Sequence, residues 1–403
     1  MNASDSEPNP QNPSPVSAAR SIALHLNGAY PRAAVLLSCL VLLIALLVFT
    51  AFISRMFHKK VHTLADAWFA EGESDFQKGD AARAVVDYRN ALVYSPGNPV
   101  FQLHLAQSLM LAGRVNEAQS YLLSLLTVSP ADGEINLDLA RAEKNSMPGA
   151  LRYYHGAIYG VWQRDPVVMR WNVRRELCEY LLTRSTVAQA QPEIIALAQD
   201  VPPGDVDSQK IAAALLLRGK LWARALDAYR AILAVHKHDE DALAGAGIAA
   251  FQLGQYAHAR SYFDELSPER ASAPDISPLL AEAQDVEAEN PFVRELSSDE
   301  RERRTLAAIA RAESRLSQCS QQVGQPIVAA PPVTQLQELH ASVEAAKGKW
   351  TQRALARDPS AIDAAMQWVF QAETASARQC GEPQDAADRA LLLIAQSQTG
   401  AEQ

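Results

Sequence analysis

Cysteine, aromatic residues and clustered basic residues are all scarce in this sequence of 403 residues. Four cysteines are too few for a disulfide-rich scaffold, and no C-x-x-C or Cys/His spacing typical of a zinc site occurs. Aromatic residues make up 7% of the chain, and its Ala- and Leu-rich composition favours helices over sheets. The net charge is -9 without a concentrated basic segment, which argues against a nucleic-acid partner.

Sequence motifs for catalysis are also lacking. None of the nine histidines forms H-E-x-x-H, and the two histidines of residues 236–238 lie in a predicted turn, where two His seldom complete a metal site. Residues 245–247 read Gly-Ala-Gly but have neither a preceding strand nor a following G-K-[ST], so we interpret them as packing residues. We therefore expect no enzymatic activity, no cofactor and no metal site.

One long apolar run stands out near the N-terminus. Residues 33–54 contain 22 residues without a charge, and as a helix they rise about 33 Å, enough to cross a bilayer core of roughly 30 Å. A cleaved signal peptide is the alternative, but its apolar core usually has only about 7–15 residues. The sequence predicts a transmembrane helix over 33–54, preceded by a disordered tail over 1–32 that is rich in Pro, Ser and Asn.

A helical repeat begins shortly after the apolar run. Small, aromatic and proline residues occupy the spacings of a 34-residue helix-turn-helix: Trp68, Gly72, Ala84, Tyr88, Ala91 and Pro96. Pro130 follows Pro96 by 34 residues, and the same separation joins Ala213 with Gly247, Ala225 with Ala259 and Tyr229 with Phe263. In these residues the chain resembles the tetratricopeptide repeat (TPR) family.

The resemblance implies an all-α fold in which about six helical hairpins stack into a solenoid over residues 64–273. The pattern is clear in four hairpins and loosens between residues 133 and 200. Four prolines lie between residues 268 and 291 and would interrupt regular helices, so a Pro-rich linker is predicted over residues 274–298. Beyond it, residues 299–400 are predicted to form a small helical bundle.

The resemblance also implies a concave groove lined by the first helix of each hairpin, and hence a protein or peptide partner. The groove positions are Phe69, Glu73, Phe76, Gln77, Leu103, Gln107, Met110, Lys210, Arg218, Asp241 and Phe251. Repeat proteins that clamp the C-terminal carboxylate of heat-shock chaperones use Lys and Asn where Phe69 and Glu73 stand here, so that specialisation is not expected. For Phe76, Met110 and Phe251, burial between repeats is an equally open interpretation.

Cys319 and Cys380 lie near the ends of two predicted helices of the C-terminal bundle. Two alternatives remain open: a disulfide, which would place this region outside the reducing cytoplasm, or two free thiols. The charges flanking the apolar run hardly bias its orientation, because two basic residues precede it and three follow it closely. The cystine alternative therefore favours an extracytoplasmic C-terminal body.

Together these patterns predict a membrane-tethered scaffold that binds a protein partner in its groove. The chain is similar in this respect to single-span TPR proteins of bacterial envelopes, which serve secretion, envelope assembly or quality control. The expected location is the bacterial inner membrane. A structural subunit that associates with itself is the second interpretation, and a membrane-associated enzyme is the third. No sequence feature identifies the partner.

Overall fold

The computed structural model describes residues 15–202, 204–328 and 331–400, and within these residues it contains helices and no β-strand. The predicted all-α class is confirmed, with nineteen helices in the described part of the chain. Contacts divide the chain into two compact units, residues 1–156 and 157–403, and each is described by itself.

The first unit begins with a helix of 63 residues, about 95 Å long, in which the apolar run and the first repeat helix are continuous. Its N-terminal part, from residue 15, lies within the tail predicted to be disordered, and residues 1–14 lie outside the described residues. By length and composition this helix is able to cross a membrane, a test that an N-terminal signal sequence also passes. The helices are α1 (Pro15–Gln77), α2 (Ala81–Tyr94), α3 (Pro99–Leu111), α4 (Val115–Val128), α5 (Gly133–Ala142) and α6 (Met147–Ile158), the last of which runs past the unit boundary.

The first hairpin shows how the repeat residues produce the fold. Tyr88 of α2 is fully buried beside Gly72 of α1, where a Cβ atom would lie only 2.8 Å from the ring. The turn between the helices contains Gly79 with φ +80°, a conformation that favours glycine. Asn98 then caps α3 by accepting hydrogen bonds from the amides of Val100 and Phe101. A small residue at the crossing and a glycine turn thus define the first hairpin, and a capped helix starts the second.

The second unit repeats this construction. Gly247 faces Phe263, and Gly245 faces Tyr229, so that each glycine admits an aromatic ring. Three more hairpins complete the predicted six: α7 (Pro166–Arg184) with α8 (Val187–Gln199), α9 (Val206–Arg218) with α10 (Trp222–Val235), and α11 (Glu240–Gln252) with α12 (Tyr256–Asp264). In one turn Lys220 occupies the left-handed region with φ 56°, at the place where the other clear repeats have glycine.

The segment predicted as a Pro-rich linker, 274–298, instead contains a helix that packs against α12. Pro278 lies in its first turn, where a missing N–H leaves no hydrogen bond unmade, so this proline starts a helix rather than breaking one. Val286 of this helix belongs to the C-terminal core. The elements here are α13 (Pro268–Ala271) and α14 (Ser277–Glu289).

The remaining helices surround a common core that includes Leu316, Met366, Trp368 and Ile394. They are α15 (Ser298–Gln322), α16 (Gln335–Ala346), α17 (Gln352–Arg357), α18 (Pro359–Cys380) and α19 (Ala386–Gly400). Between α16 and α17 the chain turns and packs the Trp350 ring beside that of Trp368 at 5.9 Å.

Side chains cap two helices of this region: Ser297 caps α15 and Asp358 caps α18. The Ser297 hydroxyl accepts from the amide of Glu300, and the Asp358 carboxylate accepts from the amide of Ser360. Each cap therefore satisfies a backbone N–H group at the start of its helix.

Cys319 at the end of α15 and Cys380 at the end of α18 form a disulfide across a sequence separation of 61 residues. The Cys319 side chain is buried and that of Cys380 is half-buried. The bond connects two helices that also pack along their length.

Candidate functional site

In the first unit, the first helices of successive hairpins present a mixed aromatic and polar surface. The Phe69 ring of α1 stacks on Phe101 of α3 with centroids 4.7 Å apart, and it meets the edge of His104 at 5.0 Å. One turn further along α1, Glu73 Oε2 lies 3.2 Å from His104 Nδ1. All of these side chains except Phe101 are half-buried, so this surface is rigid and still accessible.

Tyr88 of α2 contacts the Glu73 side chain through its hydroxyl group. Its hydroxyl donates a long hydrogen bond, 3.5 Å, to Glu73 Oε2. Burial raises the pKa of Tyr88, and the nearby Glu73 carboxylate raises it further, so the phenol remains a neutral donor. Glu73 therefore has one oxygen engaged with both Tyr88 and His104.

Gln107 repeats the arrangement one hairpin later. Its Nε2 donates to Glu134 Oε1 at 3.0 Å and to Asp138 Oδ2 at 2.9 Å, both on α5. The amide group thus bridges two carboxylates of the neighbouring hairpin. Glu134 is exposed, whereas Asp138 is buried and also lies 3.5 Å from Arg141, so Glu73 and Glu134 are the carboxylates that reach this part of the surface.

These bridges share a spacing that the sequence interpretation missed. Glu73 and His104 are 31 residues apart, as are Gln107 and Asp138. A separation three residues shorter than the repeat places the second side chain almost one helical turn lower on the next first helix. Polar pairs at this separation would have identified His104 and Asp138, which were not among the predicted groove residues.

The other predicted groove residues of this unit differ in exposure. Phe76, Leu103 and Met110 are half-buried, and Gln77 is exposed. Half-buried apolar side chains on the same helices as the polar bridges are able to receive apolar side chains of a partner.

The predicted residues 210, 218, 241 and 251 lie in the second unit. Lys210 of α9 pairs with Asp239 and lies 3.9 Å from Asp241. Hydrogen bonding to Asp239 raises the pKa of Lys210 and keeps it charged. Arg218 is exposed, whereas Phe251 is buried against the edge of Tyr256, with centroids 5.1 Å apart. The Tyr256 hydroxyl donates to Leu393 O of α19 at 3.4 Å, so the C-terminal helices cover this end of the surface.

The remaining cysteines contribute no reactive site to these surfaces. Cys178 is buried on α7, and burial raises its pKa to about 12, which keeps the thiol protonated. Cys39 lies in the apolar part of α1. Within the described residues, no group of three or more His, Cys, Asp or Glu side chains is arranged to hold a metal ion.

Comparison with known families assigns the repeats. Residues 75–135 match the model of the tetratricopeptide repeat family. The chain contains tetratricopeptide repeats. A search of curated proteins finds no significant match.

Several solved structures are similar to the chain. A tetratricopeptide repeat protein from Parabacteroides merdae is 13% identical, with 61% of this chain and 92% of that chain covered and a TM-score of 0.37. The C-terminal part of a TPR protein from Cytophaga hutchinsonii is 12% identical, with 80% and 98% covered and a TM-score of 0.40. The TPR2AB-domain:pHSP90 complex of yeast Sti1 is 17% identical, with 55% and 99% covered and a TM-score of 0.24.

A protein-protein interaction scaffold is the general role that tetratricopeptide repeats support. In the first unit, the residues available for such a role are the aromatic pair at Phe69, the carboxylates joined by His104 and Gln107, and the half-buried apolar side chains of α1 and α3.

Proposed function

We propose that this protein is a membrane-tethered scaffold that binds a peptide segment of a partner protein on the first helices of its N-terminal repeats. The observation that carries the proposal is the surface of α1, α3 and α5, where side chains are fixed by bridges between neighbouring helices and yet remain accessible. A fixed surface loses little conformational entropy when it binds.

The chemistry of this surface favours a peptide that is both apolar and cationic. Phe76, Leu103 and Met110 offer half-buried apolar contacts, while Glu73 and the exposed Glu134 contribute negative charge beside them. Lys or Arg side chains of a partner would pair with these carboxylates, and its apolar side chains would anchor between the helices.

Membrane tethering is supported by the first helix. The apolar part of α1 is exposed on all sides, which suits a lipid environment and not an aqueous one. Two of its hydroxyl side chains are satisfied by carbonyls of the same helix: Ser38 donates to Val35 O at 2.8 Å and Thr50 donates to Leu46 O at 2.9 Å. Such internal bonding removes the cost of placing hydroxyls in lipid.

An extracytoplasmic location of the C-terminal body is supported by the disulfide between Cys319 and Cys380, since such bonds persist in oxidising compartments. We propose the bacterial inner membrane as the site of the anchor. A phosphatase reporter that is active only outside the cytoplasm, fused after Gln403, should be active in bacterial cells. An inactive phosphatase fusion combined with an active cytoplasmic reporter would reverse the orientation.

The binding surface is tested by recovering partners from native membranes with the tagged full-length protein. The double variant Phe76→Ala/Met110→Ala removes two apolar contacts from the proposed surface, and Val93→Ala/Leu123→Ala removes two exposed side chains from the second helices α2 and α4 as a matched control. We expect the first variant to lose at least about tenfold in partner recovery, since two apolar anchors are each worth roughly 1 kcal/mol or more, and the control to retain it.

Circular dichroism of both variants verifies that each remains folded. Unchanged recovery with the Phe76/Met110 variant, combined with loss of recovery after removal of residues 298–403, would reject the groove and favour assembly through the C-terminal helices.

A further inference from the structure

The first hairpin has a second surface, formed by the outer sides of α1 and α2 and separate from the one proposed above. A groove of roughly 610 Å³ lies between the two helices, lined by Leu64, Ala67, Trp68, Glu71, Asp75, Arg83, Val86 and Asp87. Leu64 is 38% exposed and Val86 is 55% exposed, so apolar surface is available there.

Comparison with the other repeats shows what this face is. Counting each clear repeat from its first residue, positions 3, 7 and 11 are buried in the three later hairpins: Phe101, Leu105 and Leu109, then Ser208, Ala212 and Leu216, then Ala242, Ala246 and Ala250. In the first hairpin the same positions are Ala67, Glu71 and Asp75, which are exposed or half-buried. The groove is therefore the stacking face of a repeat that no other repeat precedes within the described residues.

The later hairpins also show which element covers such a face. Phe101, at position 3 of its repeat, packs in one cluster with Ala91 and Leu92 of α2, the second helix of the preceding hairpin. A single helix laid across α1 would occupy the corresponding place on the first hairpin.

The charge of the groove selects the kind of helix. Glu71 and Asp87 form no ion pair or side-chain hydrogen bond with any described residue, whereas Asp75 is held by Lys78 at 3.0 Å. The one cation in the lining, Arg83, lies 3.3 Å from Asp80 outside the groove. Burial raises the pKa of Asp87, and the carboxylates of Asp75 and Glu71 raise it further, while Arg83 acts in the opposite direction. With three carboxylates and one guanidinium in its lining, the groove carries an excess of negative charge.

We propose that this end groove receives a cationic amphipathic helix of a partner protein, whose apolar side contacts Leu64, Trp68 and Val86 and whose Lys or Arg side chains pair with Glu71 and Asp87. Residues 1–14 are not suited to this role, since they contain two acidic and no basic residues. A second copy of the chain is also not suited to this role. If it were anchored in parallel, its basic residues 55–60 would lie level with the same residues of the first copy and not beside the groove. That segment ends four residues before Leu64, and Glu71 lies about 16 Å of helix beyond Lys60.

The competing interpretation is that this face is a solubilising cap, meaning a polar outer face of the kind that terminal repeats commonly carry and that binds no partner. A cap accounts for the carboxylates but not for the exposed Leu64 and Val86 that lie between them. The two interpretations differ in whether a cationic helix binds.

The first experiment uses the full-length protein in phosphatidylcholine nanodiscs, which carry no net charge, and a fluorescent amphipathic peptide with Leu on one face and Lys on the other. We expect binding that weakens with salt, that is lost when the Lys residues are replaced by Glu, and that falls at least about tenfold in Glu71→Gln/Asp87→Asn. Asp66→Asn is the control, because Asp66 is exposed on the same helix outside the groove lining. Equal affinity of the double variant, or equal binding of the Glu peptide, would overturn the proposal and leave the cap.

The second experiment places a photo-crosslinking residue at Val86 of the full-length protein in native membranes, with Val93 of the same helix as the control, since Val93 is 72% exposed and outside the groove. We expect a product at residue 86 and not at residue 93, crosslinked within a Lys- or Arg-rich helical segment of another protein. A product containing a second copy of this chain, or no product at residue 86, would refute the assignment. Because Phe76 and Met110 lie outside this groove, failure here leaves the proposed binding surface untouched.

Discussion

The N-terminal hairpins and the C-terminal helices are both α-helical, but they are stabilised by contacts of different range. In the hairpin of α1 and α2, Tyr88 fills the space beside Gly72, sixteen residues away. In the C-terminal bundle, Cys319 is bonded to Cys380, and Trp368 Nε1 donates to Leu339 O at 3.0 Å across 29 residues. Repeats therefore gain stability from each neighbour in turn, whereas the bundle depends on closing long loops.

Removing the disulfide should give the largest effect and should act on only one of the two regions. The bond closes a loop of 61 residues, for which the chain-entropy model gives about 4 kcal/mol of stabilisation. We expect Cys319→Ser/Cys380→Ser to lower the free energy of unfolding of the C-terminal helices by up to this amount. Hydrogen exchange measured by mass spectrometry should show faster exchange in α15 and α18 and unchanged exchange in α2 and α3.

Mass mapping of the untreated protein provides the control for this prediction. Free thiols at both positions in protein purified without reductant would contradict it, because the double variant would then remove no bond.

Filling the space at Gly72 should damage the N-terminal region instead. In Gly72→Ala the new Cβ would lie 2.8 Å from the Tyr88 ring, which is fully buried and has no room to retreat. We expect a loss of about 2–3 kcal/mol in the stability of the first hairpin, measured by urea unfolding followed through exchange in α2. Gly97→Ala is the matched control, since no atom lies within 4 Å of the added Cβ. Similar losses in both variants would show that overpacking is not the cause.

A buried carboxylate should make the C-terminal bundle sensitive to pH. Glu373 is fully buried, and burial raises its pKa to about 8, although Arg315 Nε at 2.9 Å acts in the opposite direction. Neither oxygen of Glu373 has a hydrogen bond of good geometry, so the guanidinium compensates this burial only in part. The nearby Asp388 raises the pKa further.

The pKa of Glu373 is higher in the folded protein than its unfolded value of 4.5, so folding is favoured while this carboxyl is protonated. The contribution of the protonated carboxyl to the free energy of unfolding is fully present below pH 4.5 and is lost as pH rises through 8. We expect Glu373→Gln to remove a slope on the order of 2 kcal/mol between pH 5 and pH 9, measured by urea unfolding at each pH. Parallel pH profiles of the variant and the wild type would show that Glu373 does not titrate in this range.

The smallest expected effect is a gain in stability from a substitution in the turn between α9 and α10. Lys220 has φ 56°, which costs a residue with a Cβ atom about 1 kcal/mol, whereas Gly79 occupies the corresponding turn of the first hairpin. Lys220→Gly should therefore raise the unfolding free energy by up to about 1 kcal/mol in a thermal or urea titration. Lys220→Ala retains the Cβ atom and should give no gain, so stabilisation by both variants would point to the side chain rather than the backbone.

The sequence predicted the hairpins well because their determinants are local. Pro130 follows Pro96 and Phe263 follows Tyr229 at the same 34-residue spacing, and such spacing directly specifies which helix faces meet. The prediction was wrong where proline was taken only as a breaker, since Pro278 begins α14 within the expected linker. It also missed His104, because the partner of Glu73 is specified by stacking of two hairpins and not by either hairpin alone.

The sequence by itself determined that this chain is helical, that it repeats every 34 residues and that one helix is apolar enough for a bilayer, because composition and periodicity report these properties directly. Tertiary structure decided that Phe251 is buried beneath Tyr256, that Cys319 meets Cys380, and that the outer face of the first hairpin is left uncovered. These outcomes depend on which surfaces are brought together across dozens of residues, and a linear spacing does not contain that information.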